Sequence, residues 1–186
     1  MRVSGPLYCD VCRRIAARLK PGMDVLELAC GTGQLSFPLA SHVHLWRATD
    51  YTPAMIQMAK KHSAPPQLKF FVEDATQLPH PDNRFDAVVI SNGLHVMPPP
   101  ELALKEIHRV LKPGGLLFAP NFLHPVTGAE RMRLRLLALG GFHPCYSWNE
   151  VQYNSLLRSQ GFSVVEECVL GRGMLPLCYA VAQKAP

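Results

Sequence analysis

The sequence predicts an α/β fold in which a mostly parallel sheet carries helices on both faces. Strand-like and helix-like segments alternate five times between residues 25 and 119, which is typical of a doubly wound sheet. The strand segments are apolar almost throughout, as expected for strands buried on both faces. Two later strand segments are joined by only four residues, a connection that requires an antiparallel hairpin. One strand of the sheet is therefore predicted to be reversed.

The first five strands and the helices between them follow from local patterns. The strands are predicted at Val25–Ala29, Val43–Thr49, Leu68–Val72, Asp86–Ser91 and Leu116–Ala119. The helices are predicted at Leu7–Leu19, Gln34–Ala40, residues 53–60 and Glu101–Leu111. Pro38 fits the second helix only if it lies in the first turn, and Pro53 suits the first position of the third. Lys112–Gly115 is expected to end the fourth helix.

After Pro120 the pattern changes. A helix carrying three arginines is predicted over residues 127–139, followed by a loop that reaches Ser147. A further helix is predicted at Asn149–Ser159, and the hairpin strands at Phe162–Leu170 and Leu175–Gln183.

Composition limits the class of protein. The 186 residues favour one domain, and 48% hydrophobic with 18% charged residues is typical of a globular core. No apolar run approaches the ~18 residues of a membrane helix. The cations between Arg13 and Lys20 argue against a signal peptide, so we expect a cytoplasmic protein. The net charge of +5 is dispersed, which disfavours nucleic acid as a partner.

The six cysteines are irregularly spaced, and we expect them to be reduced thiols. Cys9-x-x-Cys12 resembles half of a zinc site, but no second pair with ligand spacing accompanies it. We therefore expect no metal.

The segment Asp24–Gln34 organises the predicted ligand site. Its strand runs into the turn Gly31-Thr32-Gly33, whose glycines let the backbone fold sharply and approach a ligand. The following helix would aim free N–H groups at the same place. Glu27, Asp50 and Asp74 mark the carboxyl ends of the first three strands, the edge where open α/β sheets bind ligands.

The spacing of these acids leaves two kinds of nucleoside ligand open. Asp50 lies close to where a dinucleotide fold places its ribose-binding acid. However, Ser36 stands where the third glycine or alanine belongs, and Glu27 beside the turn would repel a pyrophosphate. A ligand with an ammonium and a ribose but no phosphate suits the acids better than NAD does. An NAD-dependent dehydrogenase is the disfavoured alternative.

Five motifs occur in order on the predicted elements. They are Val25–Gly33, Ala48–Met55, Val72–Ala75, Asn83–Val88 and Glu106–Gly115. With them the chain resembles the class I S-adenosylmethionine-dependent methyltransferases, and most closely the small-molecule type related to quinone-biosynthesis enzymes. The resemblance covers roughly residues 22–183.

The resemblance implies a Rossmann-like, seven-stranded sheet in the order 3-2-1-4-5-7-6 with strand 7 antiparallel. It implies a single methyltransferase domain in four parts. These are a short N-terminal helix or lid (1–21), a cofactor-binding half (22–120), a substrate-cover segment (121–148) and a C-terminal helix with its hairpin (149–186). The implied activity is in-line transfer of the sulfonium methyl group of S-adenosyl-L-methionine to a small-molecule acceptor.

The resemblance also implies the cofactor-binding residues. They are Glu27, Ala29, Cys30, Gly31, Gly33, Asp50, Tyr51, Met55, Asp74, Ala75, Asn92, Gly93 and Leu94. Residues 27–33 would hold the methionine part, with Glu27 on its ammonium, and Asp50 would accept both ribose hydroxyls. Residues 92–94 would lie beside the sulfonium.

Tyr51 and Met55 would flank the adenine, while Asp74 and Ala75 would bond its edge. Each residue also has an ordinary structural reading. Glu27 could be a buried structural carboxylate, Asp50 a helix cap, Asp74 a turn residue and Met55 part of the core.

The catalytic machinery is less clearly marked. His95 follows the fourth strand and is the best candidate for a base or substrate contact, the alternative being a packed loop residue. Tyr8, on the N-terminal lid, and His124 and His143, in the cover segment, are further substrate-contact candidates. Because only about 20 residues precede the first strand, residues 121–148, a homodimer partner or another subunit could complete the acceptor pocket.

Two alternative functions stay open. One is an inactive or regulatory module that binds the cofactor, since a fold does not guarantee an activity. The other is a methyltransferase acting on nucleic acid or protein. Amino-methylating nucleic-acid enzymes typically carry Asn/Asp-Pro-Pro-aromatic after strand four, whereas this chain has Asn92-Gly93-Leu94-His95.

Overall fold

The computed structural model describes residues 5–97, 99–123, 145–171 and 176–185. The helices are α1 Pro6–Ala16, α2 Ser36–Leu39, α3 Pro53–Ala59, α4 Pro100–Val110 and α5 Glu150–Ser159. The strands are β1 Asp24–Leu28, β2 Leu45–Asp50, β3 Leu68–Val72, β4 Phe85–Ile90, β5 Leu111–Phe118, β6 Asn121–Phe122, β7 Phe162–Leu170 and β8 Leu177–Lys184.

Within these residues the strands form one sheet. β3, β2, β1, β4 and β5 are neighbours in that order and pair in parallel. β8 pairs antiparallel with β5 on one side and with β7 on the other. β7 and β8 correspond to the sixth and seventh predicted strands, so the predicted order 3-2-1-4-5-7-6 with strand 7 reversed is confirmed.

One strand was not predicted and raises the number in the described sheet to eight. The two-residue strand β6 pairs Asn121 with Cys178 and Phe122 with Leu177. Because β7 occupies the other side of β8, β6 continues the line of β5 beyond a short interruption.

The central strands β1, β4 and β8 are buried on both faces, which explains their largely apolar sequences, whereas β7 alternates between buried and exposed residues. Val25 and Leu26 of β1 are both fully buried and enter separate clusters on opposite faces. Residues of α1 and α3 pack with the first cluster, whereas residues of α4 and α5 pack with the second. Burying such a side chain contributes about 1.5–3 kcal/mol, so both layers stabilise the frame of the site.

Two elements differ from the sequence prediction. The first crossover helix is only the four residues of α2, followed by a single turn of 3₁₀ helix at Ala40–His42. Pro38 is the third residue of α2, where its missing N–H has no intrahelical partner to lose. Lys112–Gly115 does not form a helix end: α4 stops at Val110 and these residues begin β5. The helix predicted over residues 127–139 lies outside the described residues.

Candidate active site

A cavity of about 650 Å³ opens where β1, β2, β3 and β4 end. Eight of the thirteen proposed cofactor residues line it, namely Ala29, Gly31, Asp50, Tyr51, Met55, Asp74, Ala75 and Asn92. Four residues that the sequence did not single out also line it, namely Thr52, Thr76, Val96 and Met97. The parallel strands thus bring carboxylates that are distant in sequence to one place, as predicted for this edge of the sheet.

The glycine turn forms one wall of the cavity. Ala29 and Gly31 have left-handed backbone conformations, with φ of 51° and 54°. Gly33, also left-handed at 87°, has no room for a side chain, since a Cβ atom there would lie 2.7 Å from the Phe37 ring. Gly33 is therefore needed for packing, whereas Gly31 faces open space and lines the cavity.

Asp50 ties the end of β2 to the glycine turn. Its Oδ2 accepts a hydrogen bond from the Gly31 backbone N–H at 2.8 Å, and its Oδ1 accepts one from Thr52 N–H at 2.9 Å. Both donors are neutral backbone groups. Each carboxylate oxygen can accept a further hydrogen bond, so Asp50 can hold the turn and a ligand hydroxyl together.

Asp74 has a similar arrangement at the end of β3. Its Oδ1 accepts hydrogen bonds from the backbone N–H and the hydroxyl of Thr76, at 2.8 and 2.7 Å. This is the turn-closing role that was the structural alternative for Asp74. It uses only one carboxylate oxygen, and among the described contacts Oδ2 accepts no hydrogen bond.

Glu27 lies behind the turn and does not line the cavity. Its Oε2 accepts hydrogen bonds from the Ser36 hydroxyl at 2.5 Å and the Trp46 indole N–H at 2.7 Å. Burial raises the pKa of Glu27 to about 7, although these two hydrogen bonds oppose the shift. The serine that breaks the dinucleotide pattern is therefore the partner of a buried acid.

Three other proposed cofactor residues pack behind the cavity and do not line it. Leu94 is 1% exposed and belongs to the core, and a Cβ atom on Gly93 would lie 2.9 Å from Ile90. Cys30 is buried, and burial raises the pKa of its thiol well above the ordinary value.

Asn92 joins the cavity to the N-terminal helix. Its side-chain amide donates to the Tyr8 hydroxyl at 2.7 Å, and its Oδ1 accepts from the Phe122 backbone N–H at 2.8 Å. Asn92 itself is left-handed, with φ of 50°. Burial raises the pKa of Tyr8, so its phenol stays protonated near neutral pH. Tyr8 thus lies next to a cavity residue without lining the cavity.

His95 is 2% exposed and does not line the described cavity. Its Nδ1 lies 3.0 Å from Asn121 Oδ1, and burial lowers the pKa of the imidazole despite this contact. His95 is therefore neutral at pH 7 and held by the residue that starts β6. The other two candidate histidines, His124 and His143, lie outside the described residues.

Four cavity residues were not predicted from the sequence, because their sequence signals are weak. Thr52 and Thr76 each stand two positions after a cavity aspartate, which is the spacing of a local side-chain-to-backbone turn. Val96, at 45% exposure, ends the one-turn 3₁₀ helix Leu94–Val96, and Met97 follows it, within a loop that looked irregular. Only the fold shows that this loop turns back to the cavity.

The described ranges contain neither a candidate metal site nor a candidate membrane-spanning helix. No three His, Cys, Asp or Glu side chains there are grouped so that they could hold a metal ion. None of the helices in that part of the chain has the length and apolar character needed to cross a membrane.

The fold and the cavity define a Rossmann-like α/β protein with an acid-lined site at the carboxyl edge of its sheet. Residues 26–119 match the family model described as a methyltransferase domain. That match covers just over half of the chain, and the chain belongs to this methyltransferase family. The family predicted from the five motifs is thereby confirmed.

Two curated relatives show the same family. The chain is 43% identical over 111 residues to the demethylmenaquinone methyltransferase of Renibacterium salmoninarum, covering 60% of this chain and 46% of that protein. It is 33% identical over 170 residues to an uncharacterized methyltransferase of Synechocystis, covering 89% and 79%. The chain spans about half the length of the demethylmenaquinone methyltransferases that it matches.

A solved structure supports the fold alone. The magnesium protoporphyrin IX methyltransferase of Synechocystis, solved with bound SAH, aligns with a TM-score of 0.74 and 20% identity. The alignment covers 96% of this chain and 82% of that one.

Proposed function

We propose that the protein transfers a methyl group from S-adenosylmethionine to a small-molecule acceptor. The proposal rests on one observation: Asp50 and Asp74 line the same cavity as the Gly31 turn. Among the described contacts, both carboxylates accept hydrogen bonds from uncharged donors only. Such a cavity suits a ligand with ribose hydroxyls, an adenine amino group and a net positive charge.

The cavity residues fit this cofactor. A volume of about 650 Å³ lies within the usual range for small-molecule sites. Asp50 has acceptor capacity for ribose hydroxyls, and Asp74 Oδ2 can accept from the adenine amino group. Tyr51, which is 72% exposed, and Met55 offer flat or adaptable apolar surface for the adenine.

For the methionine part we propose residues 29–31, where the left-handed backbone brings peptide groups to the cavity wall. Glu27 would act mainly by fixing this turn through Ser36 and Trp46. The Oε1 atom of Glu27 accepts no hydrogen bond among the described contacts. It could therefore accept a hydrogen bond from the ammonium group of a ligand that lies on the other side of the turn. Cys30, Gly33, Gly93 and Leu94 would shape the wall from behind.

The sulfonium supplies a methyl group that is already activated for transfer. The protein must therefore orient the acceptor and exclude water, and proximity can supply most of the acceleration. Asn92, Val96 and Met97 line the same cavity and present both an amide and apolar surface. We propose a quinol-type aromatic acceptor, because the relatives named above include enzymes named for demethylmenaquinone.

We keep His95 as the candidate general base. Its neutral imidazole is the form that can accept a proton, provided that its surroundings rearrange when an acceptor binds. Tyr8, His124 and His143 stay proposed acceptor contacts, and a partner subunit stays a proposed way to complete the pocket.

Calorimetry with S-adenosylmethionine, S-adenosylhomocysteine and NAD tests the cofactor. We expect the two sulfur ligands to bind and NAD not to bind, because an acid-lined turn repels a pyrophosphate. No binding of either sulfur ligand would contradict the proposal.

Methyl transfer is tested separately with a panel of small phenols and quinols, scored by release of S-adenosylhomocysteine. Turnover of a quinol would support the proposed acceptor class. Binding of the cofactor without turnover of any acceptor would favour a regulatory cofactor-binding module.

A further inference from the structure

A second concave surface lies on the outer edge of the sheet, outside the cavity described above. It is a groove of about 360 Å³ beside β3, which pairs only with β2 in the described part of the chain. Lys60, His62 and Lys69 line it together with Leu68, Phe70 and Phe71. Basic and apolar side chains therefore meet on one exposed strand edge.

The segment that carries this groove has basic but no acidic residues, although Asp50 precedes it and Glu73 and Asp74 follow it. Residues 51–72, which run from the end of β2 to the end of β3, contain three lysines and no aspartate or glutamate. Lys60, Lys61 and Lys69 are all exposed. Across the described residues none of the three takes part in an ion pair. Their charge is thus fully available to an anionic partner.

Exposed apolar side chains accompany the lysines. Tyr51, Met58 and Val72 are 72%, 49% and 51% exposed. Val72 pairs with Asp50 in the sheet, and Tyr51 follows Asp50 directly, so these two apolar residues lie at the cavity end of the edge. Tyr51 also lines the cavity. β3 therefore runs from the basic groove to the cavity end of the sheet, where Tyr51 and Val72 are exposed.

We propose that this edge surface, formed by Tyr51, Met58, Lys60, Lys69 and Val72, docks on an anionic phospholipid bilayer. Lysines near a negatively charged membrane surface each contribute to attraction, and aliphatic side chains beside them can enter the interface. The lipid phosphates would lie in the groove, between Lys60 and Lys69.

The chemistry of the surface favours a bilayer over a nucleic acid. Single-stranded nucleic acids are held largely by stacking on exposed aromatic rings. Of the three exposed apolar side chains only Tyr51 is aromatic, and the guanidinium of Arg47 lies over the Phe71 ring at 3.4 Å. Met58 and Val72 offer no stacking surface.

Docking would serve the proposed function, and this part of the inference rests on that function. An apolar quinol-type acceptor partitions into a bilayer, and docking through the groove would bring the cavity close to that source. The contact would lie on the membrane surface.

The test is sedimentation with phospholipid vesicles, without cofactor or acceptor. We expect the protein to bind vesicles that contain phosphatidylglycerol, to bind less as salt rises, and not to bind pure phosphatidylcholine. The variant Lys60→Glu/Lys69→Glu is expected to lose at least about tenfold in partition. The matched control Lys20→Glu/Lys105→Glu changes the net charge equally at exposed sites elsewhere, and it should retain most of the binding.

Equal losses in both double variants, or equal binding to neutral vesicles, would overturn the proposal. Preference for a single-stranded RNA, lost in Lys60→Glu/Lys69→Glu, would replace the bilayer with a nucleic acid. The milder variant Lys60→Gln/Lys69→Gln, checked by its thermal unfolding, guards against a folding defect. Because no methyl transfer is measured, failure of the proposed function would leave these results unaffected.

Discussion

The acids at the amino end of the parallel strands and the three proposed cofactor acids at the carboxyl end have different partners, whereas Glu73, also at the carboxyl end, pairs with Arg47. At the amino end, Asp24 contacts Arg84 at 2.5 Å and His44 at 2.8 Å, and Asp86 contacts Lys112 at 2.6 Å. At the carboxyl end, Glu27, Asp50 and Asp74 accept hydrogen bonds from neutral groups, and no ion pair involves them among the described residues. Asp24 and Glu27 show the contrast within the single strand β1.

The acids with cationic partners stabilise the fold, whereas the acids with neutral partners can bind a ligand. A carboxylate with a cationic partner has little charge left for a second cation. Asp50 and Asp74 are instead held by uncharged donors among the described contacts, which leaves carboxylate oxygens free of cationic partners and suits a ligand carrying a sulfonium and an ammonium.

The largest expected effect comes from Glu27→Gln. The folded pKa of Glu27 is raised to about 7, above its unfolded value, so the folded state holds a proton that the unfolded state releases. Stability therefore falls as pH rises from about 4.5 to 7. Glu27→Gln should remove this loss of stability. Above pH 7 the free energy of unfolding of the variant should therefore exceed that of the native protein by up to about 3 kcal/mol. Urea unfolding at several pH values measures it, and parallel pH profiles for the two proteins would contradict it.

Asp50→Ala should weaken S-adenosylmethionine binding by about 2 kcal/mol, or roughly thirtyfold, because ribose hydroxyls would lose their charged acceptor. Isothermal titration measures the affinity. Asp86→Asn, at the opposite edge, is the matched control and should bind as the native protein does. If both variants bound equally well, the distinction between the edges would fail.

Asp24→Asn should cost about 1 kcal/mol of unfolding free energy at neutral pH, since the side chains of both partners, Arg84 and His44, are at least partly exposed. Burial favours a higher pKa, but hydrogen bonds from His44 and Arg84 bring the pKa of Asp24 below its ordinary value. Its contribution is thus present above pH ~4 and lost as pH falls further. Cofactor affinity should not change, and a large loss of affinity would show that the amino edge also serves the ligand.

Tyr8→Phe should have the smallest effect, about 0.5–1 kcal/mol of stability, because it removes one hydrogen bond from Asn92. Thermal unfolding measures this loss, and cofactor titration shows whether it reaches the cavity. We expect a few-fold weaker binding, because Asn92 lines the cavity. Unchanged affinity would mean that α1 only packs beside the site.

β1, β4 and the second half of β5 were predictable because each is a largely apolar run. β3 and β7 have the predicted bounds, and the short hairpin connection correctly implied the reversed strand. β6 could not be predicted, since two residues carry no periodic signal and the strand is held by tertiary contacts. The Phe122 backbone N–H donates to Asn92 Oδ1, and Asn121 Oδ1 lies against His95 Nδ1. The start of β5 was hidden for a similar reason: Lys112 is fixed by Asp86 on the neighbouring strand.

The sequence predicted which edge of the sheet carries the site, but it did not predict which of the nearby side chains line the cavity. Asp50 and Asp74 were predictable because both lie where a strand ends and backbone donors follow. The position of Glu27 behind the turn depends on Ser36 and Trp46, which lie on other elements. The packing of Gly93 depends partly on Ala29, whose Cβ atom would lie 3.0 Å from a Cβ atom on Gly93 and whose left-handed conformation alanine does not signal in a sequence.

The reversed strand β8 also bears on how the chain is assembled during synthesis. β8 inserts between β5 and β7 although it follows both of them in the chain. Until residues 177–184 have left the ribosome, the outer edge of β5 lacks its long pairing partner in the described sheet and is a template for contact with other chains. A nascent or truncated chain that stops before Leu177 should therefore depend on chaperones far more than a chain that includes β8 does.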